Sequence, residues 1–286
     1  MIFSISKEDD VISRLWIPRR VNIMNNVISI GGVFAIVILS VLSAFTVGGI
    51  IMGVTASSPE QINKLYLYIS FFIGQGVILV PPIYFLTIKE QPILKSLRIK
   101  SVSLPIVKNT LIFSTGILIA FDTLDRIIHK FISTPEYIID LGEIMTPDST
   151  LGYIFLFLAV VIVAPIGEEI VFRGFLQRFL EEYWKDITRA VLVTSLFFAM
   201  IHFNPFWTIQ IYMLGVILGF LAWKTKSVIP SILLHIVNNG SAFILANIEE
   251  GAIDFYLWNE QVSPIFILLA AFLIYKGLKG INLEED

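Results

Sequence analysis

The stretch L-G-Y-I-F-L-F-L-A-V-V-I-V-A-P-I-G-E-E-I-V-F-R-G-F-L, residues 151–176, decides the fold. Residues 151–163 carry no charge. The run then receives two adjacent carboxylates, Glu168 and Glu169, followed by Arg173. An apolar run of this kind reads as the core of a spanning helix, which needs roughly 20 residues. Ionisable groups are costly inside a bilayer, so a cluster of them there marks a functional site.

The whole chain has the composition this reading requires. Of its 286 residues 56% are hydrophobic and 15% charged, against about 25% charged in a soluble domain. Mean hydropathy is +0.82, and 23 Phe are available to face lipid. The lack of Cys removes disulfides, Cys-ligated zinc and a thiol nucleophile. Residues 1–20 are polar, and the first apolar run, near 27–54, is too long for a signal-peptide core, so the N-terminus is expected to be retained.

Working outward from 151–176, apolar runs predict spans at 27–53, 65–88, 105–121, 151–180, 188–203, 207–223, 228–247 and 263–277. Basic residues favour the cytoplasmic side of such spans. With the N-terminus inside, Lys7, Arg14, Arg19, Arg20, Lys89, Lys95, Arg98, Lys100, Lys108, Arg173, Arg178, Lys185, Arg189, Lys224, Lys226, Lys276 and Lys279 fall inside, 17 of the 20 Lys and Arg. Only Lys64, Arg126 and Lys130 fall outside. The expectation is an all-α polytopic bundle of about eight helices with both termini cytoplasmic. Residues 1–286 form a single integral-membrane domain in which 151–247 are the catalytic core. Seven spans, or a split fourth span, are the competing counts.

The outside connection 122–150 begins with apolar residues at helical spacing, 121–132, read as an interfacial helix. His129 within it is read as a solvated or interfacial residue. Loop 248–262, with Glu249, Glu250, Asp254 and Glu260, is read as a solvated acidic face. Gly49–Gly53 and Gly215–Gly219 have the spacing that lets helices pack closely and are expected to do so within the fold. Pro81 and Pro82 are expected to kink or end the second span.

Chemistry concentrates in three apolar segments. Residues four apart share a helix face, with Glu N-terminal to Arg the favourable order, so Glu169 and Arg173 pair. Glu168 stands about 100° further round and is left to face a cavity. Phe198-x-x-x-His202 ends the fifth span, and His235-x-x-x-Asn239 lies in the seventh. Counted from the inside ends, Glu168, His202 and His235 lie roughly 20, 20 and 12 Å deep, which lets three helices bring them together. A carboxylate beside an imidazole is a plausible general base. No H-E-x-x-H, no G-x-S-x-G, no Gly-rich phosphate loop and no intramembrane Asp pair is present. No cofactor is called for. Glu168, His202 and His235 are also of the types that ligate zinc, so a metal stays open.

E-E-I-V-F-R, F-A-M-I-H and H-I-V-N-N, in this order over residues 168–239, resemble the three motifs of the CAAX-protease and bacteriocin-processing (Abi) family of glutamate-dependent intramembrane proteases. The resemblance implies that Glu168 and His202 activate a water that attacks a peptide carbonyl. His235 and Asn239 would stabilise the oxyanion, and Glu169, Arg173 and Phe198 would support the site. It further implies a site open to the cytoplasmic side. A peptide or membrane-protein substrate and the lipid bilayer are the expected partners, with no nucleic acid, and the Lys/Ile/Asn-rich, Cys-free chain points to a bacterial plasma membrane. The alternative reading is a non-catalytic scaffold or bacteriocin self-immunity protein of the same fold. A buried Glu–His relay of a transporter would be accompanied by internal repeats, and none is seen.

Overall fold

The computed structural model describes residues 27–55, 63–249 and 251–283. Lys7, Arg14, Arg19, Arg20 and Glu250, used in the charge map and the acidic loop, lie outside them. Helix α1 is Ile30–Thr55, and α2 is Lys64–Ile88. Helix α3 is Leu104–Phe131, α4 Glu136–Ile144 and α5 Thr150–Trp184. Helix α6 is Ile187–Met200, α7 Thr208–Thr225, α8 Ile229–Leu245 and α9 Pro264–Leu283. Among the described residues, six of these (α1, α2, α3, α5, α7 and α9) are long and apolar enough to cross a bilayer, while α6 and α8 are shorter apolar helices. The protein is thus an all-α, polytopic membrane bundle. Its described strands, β1 Leu257–Trp258 and β2 Gln261–Val262, form one tiny hairpin.

Local chemistry sets the ends. Asn63, Ser103, Ser149 and Asp186 cap α2, α3, α5 and α6 with side-chain oxygens on free backbone N–H groups. Lys185 and Lys226 take left-handed backbone conformations (φ 53° and 52°) that turn the chain sharply from α5 to α6 and from α7 to α8. Helix α2 breaks between Val77 and Val80, just ahead of Pro81 and Pro82, as expected. The segment 121–132 is not a separate interfacial helix. Helix α3 continues without interruption through it to Phe131, where Arg126 is paired with Asp122. The fourth span is not split, although its hydrogen-bond ladder changes along its length.

Ties at each end define two faces. At one, Arg98 is paired with Glu181, Val228 N–H donates to the Arg98 carbonyl at 3.1 Å, and Ser227 donates to Lys100. At the other, Lys64 donates to the Glu143 and Thr146 carbonyls, and Gln210 to Asp125. Lys89, Lys95, Lys100, Lys185 and Lys226 stand with the first set, hereafter the basic face.

Helix α5 is the core. Phe172, Phe175, Leu176, Phe179 and Leu180 are fully buried, packed with Val33 and Val37 of α1, Leu86 of α2 and Phe198 of α6. Lipid is as apolar as these side chains, so close approach and polar ties hold such helices together. Gly215 and Gly219 supply both. A Cβ on them would stand 3.0 Å from Ser195 and 2.7 Å from Gln177, while their carbonyls accept from Arg173 and Gln177 at 3.1 and 2.9 Å. This pair packs within the fold. Gly49 and Gly53 do not, since a Cβ on either meets nothing within 4 Å among the described residues. The α1–α2 approach falls one residue earlier, at Gly48 and Gly74, where a Cβ on Gly74 would stand 2.9 Å from the Ala44 carbonyl oxygen.

A methyl group on Gly174 would stand 2.5 Å from the Leu97 carbonyl, a backbone atom that cannot swing away. Gly174→Ala should cost about 1–3 kcal/mol, read as a lower Tm of the detergent-purified protein. Gly49→Ala should stay within about 0.5 kcal/mol of wild type.

Candidate active site

Two π-helical segments, Leu158–Val163 and Ile170–Gln177, flank the α-helical turn Ala164–Glu169 of α5. A π turn inserts one residue into an α-helix and occurs often at functional sites. Pro165 has no N–H for the ladder, so the helix is already open there. The α-turn carries Glu168 and Glu169 side by side in sequence and on different faces.

Glu169 is fully buried and is the hub. Its Oε1 accepts from Arg173 Nη1 at 2.8 Å and from His235 Nδ1 at 2.9 Å. Arg173, also fully buried, gives its second arm to the Gly215 carbonyl, and its guanidinium lies 4.2 Å over the Phe198 ring. Phe198 meets the rings of Phe172, His202 and His235 edge-on. One apolar ring thereby aligns both imidazoles and covers the buried cation.

The hydrogen bonds assign the imidazole protons. His202 Nδ1 lies 2.7 Å from the Phe198 carbonyl, which only accepts, so this nitrogen carries the proton. His235 Nδ1 donates to the Glu169 carboxylate by the same reasoning. Both Nε2 atoms then point at Glu168, at 4.0 Å for His202 and 3.9 Å for His235, each to Oε2. These gaps are too long for a hydrogen bond and suit a shared water or a reacting atom. An Nε2–H donor on His235 requires the doubly protonated ring, because its other proton is engaged. Asn239 lies one turn beyond. Its Nδ2 donates to the Val160 carbonyl in the first π segment at 2.9 Å, and its Oδ1 accepts from Asn238 at 3.2 Å. The structure thus brings Glu168, Glu169, Arg173, Phe198, His202, His235 and Asn239 into one cluster. Among the described residues no three His, Cys, Asp or Glu side chains are grouped so as to hold a metal ion.

Glu168, His202, His235 and Asn239 line a cavity of about 670 Å³. Its further walls include Gln75 of α2 and Asn247 beyond α8, whose buried carboxamide oxygens have no hydrogen-bond partner among the described residues. Neither was singled out from sequence. The one available signal was that Gln75 is the only carboxamide in the apolar run 65–88. The Glu169–His235 bond was also missed, since its partners lie 66 residues apart. A second cavity of about 560 Å³ shares Trp207, Ile211, Leu214 and Asn238 with the first and ends at Asp122, Asp125 and Tyr256. Burial, then the adjacent Asp122, push the Tyr256 hydroxyl above its ordinary pKa.

The geometry defines a class: a polytopic helical membrane protein with a glutamate and two histidines facing a buried cavity. Residues 150–241 match the family model described as type II CAAX prenyl endopeptidase Rce1-like. This segment contains all three motifs, so over it the chain is similar to that family of CAAX-type endopeptidases, in agreement with the motif resemblance. No curated protein and no solved structure matches the chain.

Removing one partner of a buried ion pair strands the other. Glu169→Ala should therefore lower stability by about 3–5 kcal/mol, whereas Glu168→Gln, which faces the cavity, should leave the unfolding temperature in detergent close to wild type.

Proposed function

We propose that the protein is an intramembrane endopeptidase hydrolysing a peptide bond of a membrane-associated peptide or protein, with residues 151–247 as the catalytic core of a single integral-membrane domain in a bacterial plasma membrane. The observation that carries the proposal is the pair of Nδ1-anchored imidazoles whose Nε2 atoms face one free carboxylate, Glu168, across a gap of water size. Water placed in that gap touches Glu168 and the unprotonated Nε2 of His202, and either can take its proton as the oxygen attacks a carbonyl. The resulting oxyanion needs donors, each typically worth about 3–4 kcal/mol of barrier when preorganised in a dry site. The remaining N–H of Asn239 supplies one, and an Nε2–H on His235 would supply another. Glu169 and Arg173 do no chemistry. They hold His235 in place, and Phe198 lines up both rings.

A scaffold or immunity protein of the same fold has no need of this cluster, and all of its members are present. Glu168→Gln and His202→Ala should each lower cleavage by about 10²–10⁴-fold while the protein still inserts. The readout compares membrane-associated and secreted peptides from cells carrying wild type and each variant, with a chelator control on purified protein. A purified Glu168→Gln protein that cleaves as fast as wild type would falsify the assignment, and an immunity phenotype surviving Glu168→Ala would favour the scaffold.

A further inference from the structure

Resting on the hydrolytic reading, we propose that Gln75 binds the main chain of the peptide substrate, so that the substrate is held by its backbone as well as by its side chains. Gln75 of α2 lines the same 670 Å³ cavity as Glu168, His202 and Asn239. Its Oε1 is buried and has no hydrogen-bond partner among the described residues. Buried acceptors are normally paired, and one left without a donor is costly. The cavity is the place from which a donor can arrive.

Packing fixes Gln75 beside the turn that carries Glu168. A Cβ on Gly167, the residue before that carboxylate, would stand 3.1 Å from the Gln75 backbone carbonyl, so α2 lies directly against this part of α5. At the neighbouring position, Gly74, a Cβ would stand 2.9 Å from the Ala44 carbonyl of α1. Helix α2 is thus held by both α1 and α5, and Phe71 and Gln75, four residues apart on one face, are its contribution to the cavity wall. Asn247 is placed differently. Its Nδ2 donates to the Phe243 carbonyl at 2.8 Å, which ties its carboxamide to the end of α8. Gln177 Oε1 and Thr194 Oγ1 are likewise buried without partners among the described residues, but neither residue lines this cavity.

The substrate brings what this oxygen needs. A helical peptide in an apolar setting keeps its N–H groups bonded within its own helix. For water to reach a peptide carbonyl, the segment around the scissile bond must open. Opening frees N–H groups where unpaired ones are costly. An acceptor on the cavity wall beside Glu168 takes one of them. Every residue except Pro carries that N–H, so the contact selects an opened backbone at a fixed register from the scissile bond without reading side chains. Phe71, Leu156 and Val160, on the same wall, are left to meet the side chains.

Gln75→Met keeps the length of the side chain and removes its hydrogen-bonding oxygen. The probes are apolar, internally quenched peptides in which each N–H in turn, the scissile one excepted, is replaced by an ester oxygen. They are offered to the full chain purified in detergent. One replacement should lower the kcat/KM of wild type by about 10-fold and leave that of Gln75→Met unchanged. On the all-amide peptide Gln75→Met should itself lose about 10-fold, chiefly through KM. Losses that multiply at every position, or a wild-type kcat/KM in Gln75→Met, overturn the proposal. The unfolding temperature of peptide-free Gln75→Met should equal or exceed that of wild type. A fall means that the oxygen is already satisfied within the fold, and it overturns the proposal too. Binding of the same peptides to Glu168→Gln, with and without Gln75→Met, separates this inference from the reading beneath it. An ester-sensitive position that depends on Gln75, with no cleavage by wild type, removes the hydrolytic reading and leaves Gln75 as a main-chain ligand. Cleavage without such a position leaves the reading and removes the inference. Neither binding nor cleavage of any peptide removes both.

Discussion

Everything at the centre of this protein depends on one buried carboxylate oxygen. Glu169 Oε1 holds Arg173 on one side and His235 on the other, joining α5 to α8, while Arg173 carries the tie on to α7 through the Gly215 carbonyl. Charges withdrawn from water repay their desolvation only when geometry and hydrogen bonding are good. In an apolar surround there is no second place for Arg173 to go. The pair therefore acts as a constraint on three helices, and their alignment is what brings His235 to face Glu168.

The same constraint explains a division of labour between neighbours. Glu168 and Glu169 are chemically identical and adjacent, yet one is enclosed and doubly bonded while the other faces a cavity with only long approaches to its partners. Rotation by one residue along a helix accounts for the difference. Phe198 adds the remaining order: a single ring stacks under the guanidinium and edges against both imidazoles.

Much of this was legible beforehand because membrane helices write themselves plainly. Each predicted span corresponds to a helix, and the Glu169–Arg173 pairing follows from spacing alone. What was hidden has physical reasons. Local periodicity ends where tertiary contact begins, so the bond from Glu169 to His235 and the walls given by Gln75 and Asn247 had no signature in spacing. The extension of α3 through Phe131 was hidden because its polar outer turns look like a separate amphipathic piece, and only Asp122–Arg126 pairing and the neighbouring loop make them continuous. Gly49 and Gly53 misled for the converse reason: spacing marks a smooth stripe, but which stripe meets a neighbour is decided by helix rotation.

The π segments make the site depend on counting as much as on composition. The extra residue in Leu158–Val163 lies between the capped start of α5 and the carboxylates. The wide turn absorbs that residue, so its deletion would restore a plain α-helix with the carboxylates at nearly the same rotation, whereas deleting one residue from the plain α-helical turns Thr150–Phe157 would swing all that follows by about 100°. Every motif letter would survive such a change, yet Glu168 could not keep both its cavity and its place beside His202 and His235. For relatives of this chain, the number of residues between the helix start and the first Glu therefore carries information that a motif pattern ignores.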